Sequence, residues 1–284
     1  MGRMGWDAIK RLRRKKRYTV GLLLALFVLL YGGVWILAWR SGQPLKDYPG
    51  WLIATAFVAV FVAVFRDVIS RLIWFPELDM VFLNAAPYCD DPPETGRDQN
   101  GKEVTFPSVW FRPLVINRGT ARAEKVEVMV TDVHVPQAGG RPPTSDRQYF
   151  LNLAWSNSSG APRQESAVLI WDGLNPGMRR FVDLGKIYEP LARQKFCAYR
   201  ENLPGEDGTL FSVLIEYQNT KGTHLLPKGD WQLTLLLSAA NHDTLYYRAD
   251  VHLTGQWVDG IDRMLDPSTG GVSVRIVPIK RKWW

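Results

Sequence analysis

Residues 20–39 form an apolar run without one charged side chain, and eight lysines and arginines stand in front of it. At about 1.5 Å per residue, twenty helical residues reach about 30 Å, the thickness of a bilayer's hydrocarbon core. A polar loop over 40–49 leads to a second uncharged run, 51–65. That run is short for a crossing, but Arg66 and Arg71 can snorkel and let 68–75 extend it into the interface. The pattern predicts a basic flank over 1–18 and a two-helix transmembrane hairpin over 19–75.

Cations then orient the hairpin. Arg11, Arg13, Arg14, Lys15, Lys16 and Arg17 mark the flank as a cytoplasmic membrane surface, whereas the loop carries only Arg40 and Lys46. Both termini are therefore expected in the cytoplasm, in a multi-pass protein of a bacterial inner membrane. A cleaved signal peptide fits less well, because its apolar core spans about 7–15 residues and ends at small side chains. Neither run holds an interior charge, which disfavours an ion or substrate pathway. Thr55, Ala59 and Ala63 form a small-residue stripe on the second span, with Gly21 and Ala25 a weaker one on the first. Such stripes serve packing within the hairpin or self-association.

The formal net charge is +7. Residues 1–49 contain ten basic and two acidic residues, which leaves 25 basic against 26 acidic for the remainder. The basic character belongs to the membrane flank, where each Lys or Arg near anionic lipid contributes about 1 kcal/mol. Bulk nucleic-acid binding by the large domain loses its electrostatic basis. Lys280, Arg281, Lys282, Trp283 and Trp284 make a basic-aromatic tail over 280–284, either a headgroup anchor or a disordered end. Cys89 and Cys197 form no CxxC motif and are expected as reduced thiols.

After residue 75 the apolar period changes to two. Trp231, Leu233, Leu235 and Leu237 alternate with polar or lesser neighbours, as do Leu245 through Leu253, Phe211 through Tyr217, Val126 through Val130, and Val272 through Ile276. Alternation marks half-buried antiparallel strands, and turn residues such as Asn175-Pro176-Gly177 separate them. The expectation is mainly β, one sandwich over 76–279, with a bulge near Thr131-Asp132, a short helix over 185–194, and loops over 88–102 and 136–147.

The segment Trp110-Phe111-Arg112-Pro113-Leu114-Val115-Ile116-Asn117-Arg118-Gly119, continuing through Ala123 to Val128, resembles bacterial immunoglobulin-like domains of the CARDB type. The stretch from Gly177 to Gly185 is similar to a later strand of such domains. The resemblance implies an Ig-like sandwich in which Asn117 and Gly119 make a hairpin turn, Ala123 tucks beneath it and the valines enter the core. It says almost nothing about function.

Chemistry is sparse. The nucleophile-elbow, P-loop, zinc-protease and dinucleotide fingerprints are missing from the sequence, and His134, His224, His242 and His252 are scattered. The chain reads as a non-enzyme without metal or cofactor. Arg179 and Arg180, with Trp110 and Arg112 on a neighbouring strand, are the candidate ligand site, since guanidinium and aromatic surfaces suit a phosphate and a base. Against this stands an outward arginine row with Trp110 in the core. The leading expectation is a membrane-anchored binding, sensing or scaffold protein with a protein partner or self-association. The alternative architecture resembles the membrane-disrupting effectors of bacterial anti-phage systems, which would imply a small nucleotide ligand and clustering of the hairpin. A third reading puts the domain outside the membrane, with Cys89 and Cys197 oxidised.

Overall fold

A computed structural model describes residues 74–97, 102–135, 144–156, 168–190, 208–215 and 224–279, with a few positions between 32 and 66. The chain divides into two compact units, Met1–Phe75 and Pro76–Trp284. In the first unit Gly32, Gly33, Trp35, Ile36, Trp39, Arg40, Thr55, Ala56, Val58, Ala59 and Arg66 are helical. Among the described residues no helix is long and apolar enough to cross a membrane. The expected hairpin lies otherwise outside the described residues, as do Gly21, Ala25, Ala63, the cations of the flank and the tail from Lys280.

The second unit is built of antiparallel strands. In chain order they begin with β1 (Leu78–Val81), β2 (Cys89–Asp90), β3 (Glu94–Arg97), β4 (Glu103–Phe106), β5 (Ser108–Phe111) and β6 (Leu114–Asn117). Next come β7 (Ala123–Val135), β8 (Thr144–Asn152), β9 (Ile170–Leu174), β10 (Arg179–Phe181) and β11 (Gly185–Tyr188). The last are β12 (Phe211–Val213), β13 (Leu225–Leu226), β14 (Gly229–Ala239), β15 (His242–Leu253) and β16 (Val272–Pro278), with one helical turn, α1 (Ile261–Met264), before β16.

One layer runs β16-β15-β14-β7-β8, with β9 also paired to β7. Its apolar alternation is the one seen in the sequence: Val126, Val128, Val130, Leu233, Leu235, Leu237, Ala249 and Val251 are all buried. The predicted bulge is present. Val130 pairs with Leu235 and Asp132 with Thr234, which leaves Thr131 as the extra residue and shifts the next core side chain to Val133.

The other layer is a sheet with a crease. β13-β12-β11-β5-β2 forms one part and β1-β6-β10 the other. β5 and β6 are nearly continuous, interrupted by Arg112-Pro113, because proline cannot donate to a ladder. Across the crease Val182 N–H donates to Pro113 O at 2.9 Å and Leu184 N–H to Phe111 O at 3.0 Å, which keeps the halves joined. Side chains from both layers, among them Phe111, Val115, Ile187 and Phe211 from the creased sheet, enter a single hydrophobic core.

Five expectations change, the first being the loop over 136–147: residues 144–147 already belong to β8, and 136–143 lie outside the described residues. Residues 185–188 form no helix; they are β11, paired on both flanks with β5 and β12, and that pairing overrides a weak helical pattern. Gly185 is needed there, because a Cβ would sit 2.2 Å from the Phe211 ring and 2.9 Å from Ser212 O. The expected loop over 88–102 instead holds β2 and β3, the latter pairing with β4 as a two-stranded ribbon. Asn117 and Gly119 make no hairpin turn, since β6 and β7 belong to different layers and the segment between them is an arch. The sequence run Phe211 to Tyr217 is strand only to Val213, with Ile215 in an isolated bridge to Leu153 and Tyr217 outside the described residues.

The arch is held by one side chain. Buried Asn117 donates from Nδ2 to Ala121 O at 2.7 Å and Leu174 O at 2.8 Å, and its Oδ1 accepts from Gly119 N–H at 2.9 Å and Glu77 N–H at 3.2 Å. Ala123 and Val126 beyond it are fully buried. The Asn175–Gly177 turn is also present: Gly177 has φ +77° and Met178 N–H donates to Asn175 O at 2.9 Å. Proline followed by glycine at positive φ is the order a type II turn requires.

Candidate functional site

The four residues singled out in the sequence do not meet. Trp110 pairs directly with Asp90 on one side and Lys186 on the other, and Lys186 pairs with Ser212. Their chain neighbours Val109, Phe111, Ile187 and Phe211 are core residues, so this row lies on the outer face of the creased sheet. Arg180 pairs with core residue Val115 and shares its inward face. Its guanidinium carbon lies 4.3 Å from the ring centroid of Trp171 on β9, which in turn meets Trp155 at 6.1 Å. Arg179 faces the opposite way and is exposed. The crease and the face alternation together divide the pair of arginines from Trp110.

Arg112 does stay with Trp110. Its guanidinium carbon is 5.1 Å from the indole centroid, its Nη1 donates to Asp90 Oδ2 at 3.1 Å, and its Nε stands 3.5 Å from Asp183 Oδ1. Asp183 is buried and also accepts from the Ser156 hydroxyl. Trp110 is buried too, on the outer face of the creased sheet. Its Nε1–H donates to Ser108 Oγ at 3.0 Å, and that hydroxyl donates to Pro92 O at 2.9 Å.

The centre of the site is Lys186, which the sequence did not reveal. Its ammonium lies 4.6 Å from the Trp110 centroid and 4.7 Å from that of Tyr188, and donates to both carboxylate oxygens of Glu94, at 2.8 and 2.7 Å. The side chains are 8 % and 19 % exposed. A desolvated pair of this kind adds little net stability compared with an apolar pair of the same volume, whereas removing one partner costs about 3–5 kcal/mol. Cation–π contacts with two desolvated rings favour the ammonium further. A signal was available: Lys186 and Tyr188 stand two apart, which places them on one face of a strand. A helical reading of 185–194 hides that relation.

Two of the histidines make strand contacts. His252 Nδ1 faces Asp230 Oδ1 across β14 and β15 at the exposed surface. His242 accepts Leu78 N–H at Nε2, 3.3 Å away. Among the described residues no three His, Cys, Asp or Glu side chains gather as a metal site.

Cys89 is a free, buried thiol, and burial pushes its pKa from 9.0 up to about 12. Cys197 lies outside the described residues. Because the folded value is raised, Cys89 adds stability below the unfolded pKa and loses it as pH climbs from 9 toward 12. Native protein at pH 8 should leave Cys89 unalkylated after times that fully label the denatured chain, and stability should decline above pH 9. Rapid labelling of folded protein, located to Cys89 by peptide mapping, would show that the site is open.

No family model, curated protein or solved structure matches this chain.

Proposed function

We propose that this chain is a membrane-anchored, non-enzymatic binding protein whose β-sandwich carries the recognition surface. The observation that supports anchoring is the exposure of Trp35, Ile36 and Trp39, at 58, 55 and 78 %. All three are helical, their spacing of one and four puts them on one side of a helix, and the rings of Trp35 and Trp39 stack at 6.2 Å. An apolar, tryptophan-rich face of this kind is suited to lipid and its interface. The helical, half-buried Thr55 and helical, exposed Ala59 leave room for the small-residue contact proposed for the second span. The bilayer is thus the first partner, with both ends and the sandwich on the cytoplasmic side of a bacterial inner membrane.

Kinship with CARDB-type Ig-like domains belongs to the same proposal. The buried Val126, Val128 and Val130 and the Pro-Gly turn before β10 support it, and the arch in place of a hairpin counts against it. Recognition would use the outer face around Trp110, Arg112 and Lys186, where cations and aromatic rings are preassembled.

The buried Cys89 is a poor topology reporter, so an exposed position is needed. In a Cys197→Ser background, Thr244→Cys on exposed β15 should label with a membrane-impermeant maleimide only after spheroplasts are lysed. Labelling of intact spheroplasts would reverse the orientation. Complete release of the chain by alkaline carbonate would remove the anchor altogether.

A further inference from the structure

Among the described residues the β3–β4 ribbon pairs with no other strand, and its two ends are set by Pro92-Pro93 and Pro107. It nevertheless covers the outer face of the creased sheet. Two side chains carry the main contact: Glu94 holds Lys186, and the ring of Phe106 meets that of Tyr188 edge-on at 5.6 Å. Glu94 and Phe106 are direct cross-strand partners in the ribbon, so they project together from one face. Thr95 and Thr105, on the other face, are exposed. The ribbon therefore presents a carboxylate and an aromatic ring side by side to a lysine set between a tryptophan and a tyrosine.

The geometry points to a ligand site beneath a hinged cover: the β3–β4 ribbon occupies, with Glu94 and Phe106, a pocket floor that binds a small aromatic molecule bearing an anionic group. Lys186 takes the anion and the rings of Tyr188 and Trp110 take the aromatic part. Charge favours exchange over addition. Arg112 and Lys186 face Asp90, Asp183 and Glu94, so an extra anion would raise an existing negative excess. Replacing the Glu94 carboxylate with a ligand anion leaves the local charge as it was. Among the described residues no ladder joins the ribbon to either sheet, so swinging it away breaks side-chain contacts, the Lys186–Glu94 latch and the Ser108–Pro92 hydrogen bond among them. The cost of leaving Lys186 buried and unpaired is what the incoming anion removes. This deepens the binding half of the proposed function by naming its ligand class, and it stands or falls independently of membrane attachment.

The test uses the full chain in detergent with benzoate and phenyl phosphate as probes, read by isothermal titration calorimetry. Benzyl alcohol and inorganic phosphate serve as half-ligands. E94Q removes the internal competitor's charge and should bind the aromatic anions at least about ten-fold more tightly than the parent, since a closed cover lowers the competent fraction. E94Q/K186M, which restores an uncharged contact, should lose that binding, and each half-ligand should bind more weakly than the complete probe. Hydrogen exchange of backbone amides in β3 and β4 should quicken in E94Q and in the ligand-bound parent. The proposal is overturned if E94Q binds neither probe at millimolar concentration, if the double variant binds as well as E94Q, or if ribbon exchange is unchanged. Failure here with an intact labelling pattern would remove the ligand class and leave the anchored protein standing.

Discussion

Asn117→Ala should unfold the sandwich at markedly lower denaturant than the parent, a loss of about 3–5 kcal/mol. The side chain is fully buried and satisfies four backbone groups, two as donor and two as acceptor. Alanine leaves the buried Leu174 O, and the part-buried Ala121 O and amides of Gly119 and Glu77, without that partner, and an orphaned buried group costs about 1–3 kcal/mol. Those groups come from four places: the start of β1, the arch itself, its exit and the end of β9. One side chain therefore fixes the path by which the chain leaves one layer for the other. Asn117→Asp should not rescue stability, because it keeps the acceptors but turns carboxylate oxygen toward two carbonyls. Equilibrium unfolding of the full chain in detergent measures both. A midpoint within experimental error of the parent for Asn117→Ala would mean that the arch is held by something other than this residue.

Phe111→Ala is the second large effect, with an expected cost of about 3–5 kcal/mol through lost burial and a residual cavity. Phe111 is completely buried on β5 just before the crease, its ring 5.3 Å from Phe211 and 6.5 Å from Phe82. Phe82 and Phe211 come from separate segments, and its strand partners Cys89 and Gly185 from two more, so collapse around the cavity would have to move several strands at once. The exposed Thr244→Ala on β15 should stay within about 0.5 kcal/mol of the parent in the same assay. A Phe111→Ala midpoint equal to that control would show that the core readily closes on itself.

Long strands were the most legible part of the fold. From Trp231 in β14 and Leu245 in β15 every second side chain is apolar, and the register pairs Trp231 with Val251 and Leu235 with Tyr247, as alternation demands. The bulge at Thr131 was legible for the same reason, because a phase break in a strict period has few other causes. Short strands were not. Four residues from Gly185 to Tyr188 carry too few periods to separate strand from helix, and two neighbours in space decide the matter. The polar run from Tyr88 reads as a loop because the ribbon's inward side chains, Glu94 and Phe106, owe their burial to a sheet remote in sequence.

The candidate site shows the same division. That Trp110 and Arg112 belong together could be read from adjacency, and their cation–π distance of 5.1 Å agrees. That Arg180 turns instead to Trp171 depended on which face each strand presents on either side of Pro113, and no local pattern carries that information. Lys186 was hidden because a lysine in an apolar run has no partner within its own stretch; Glu94 stands 92 residues away.

By itself the sequence determined the strand periodicity, the charge division between the N-terminal flank and the large domain, and the positions where proline or glycine must turn the chain. Periods, formal charges and backbone restrictions are properties of neighbouring residues, so they survive without any knowledge of the fold. Only the tertiary structure decided that β6 and β7 part into different layers, that Glu94 meets Lys186, and that the two arginine–tryptophan contacts are separate. Those outcomes depend on which distant strands bury one another's faces, a choice made by the packing of the whole core rather than by any segment of it.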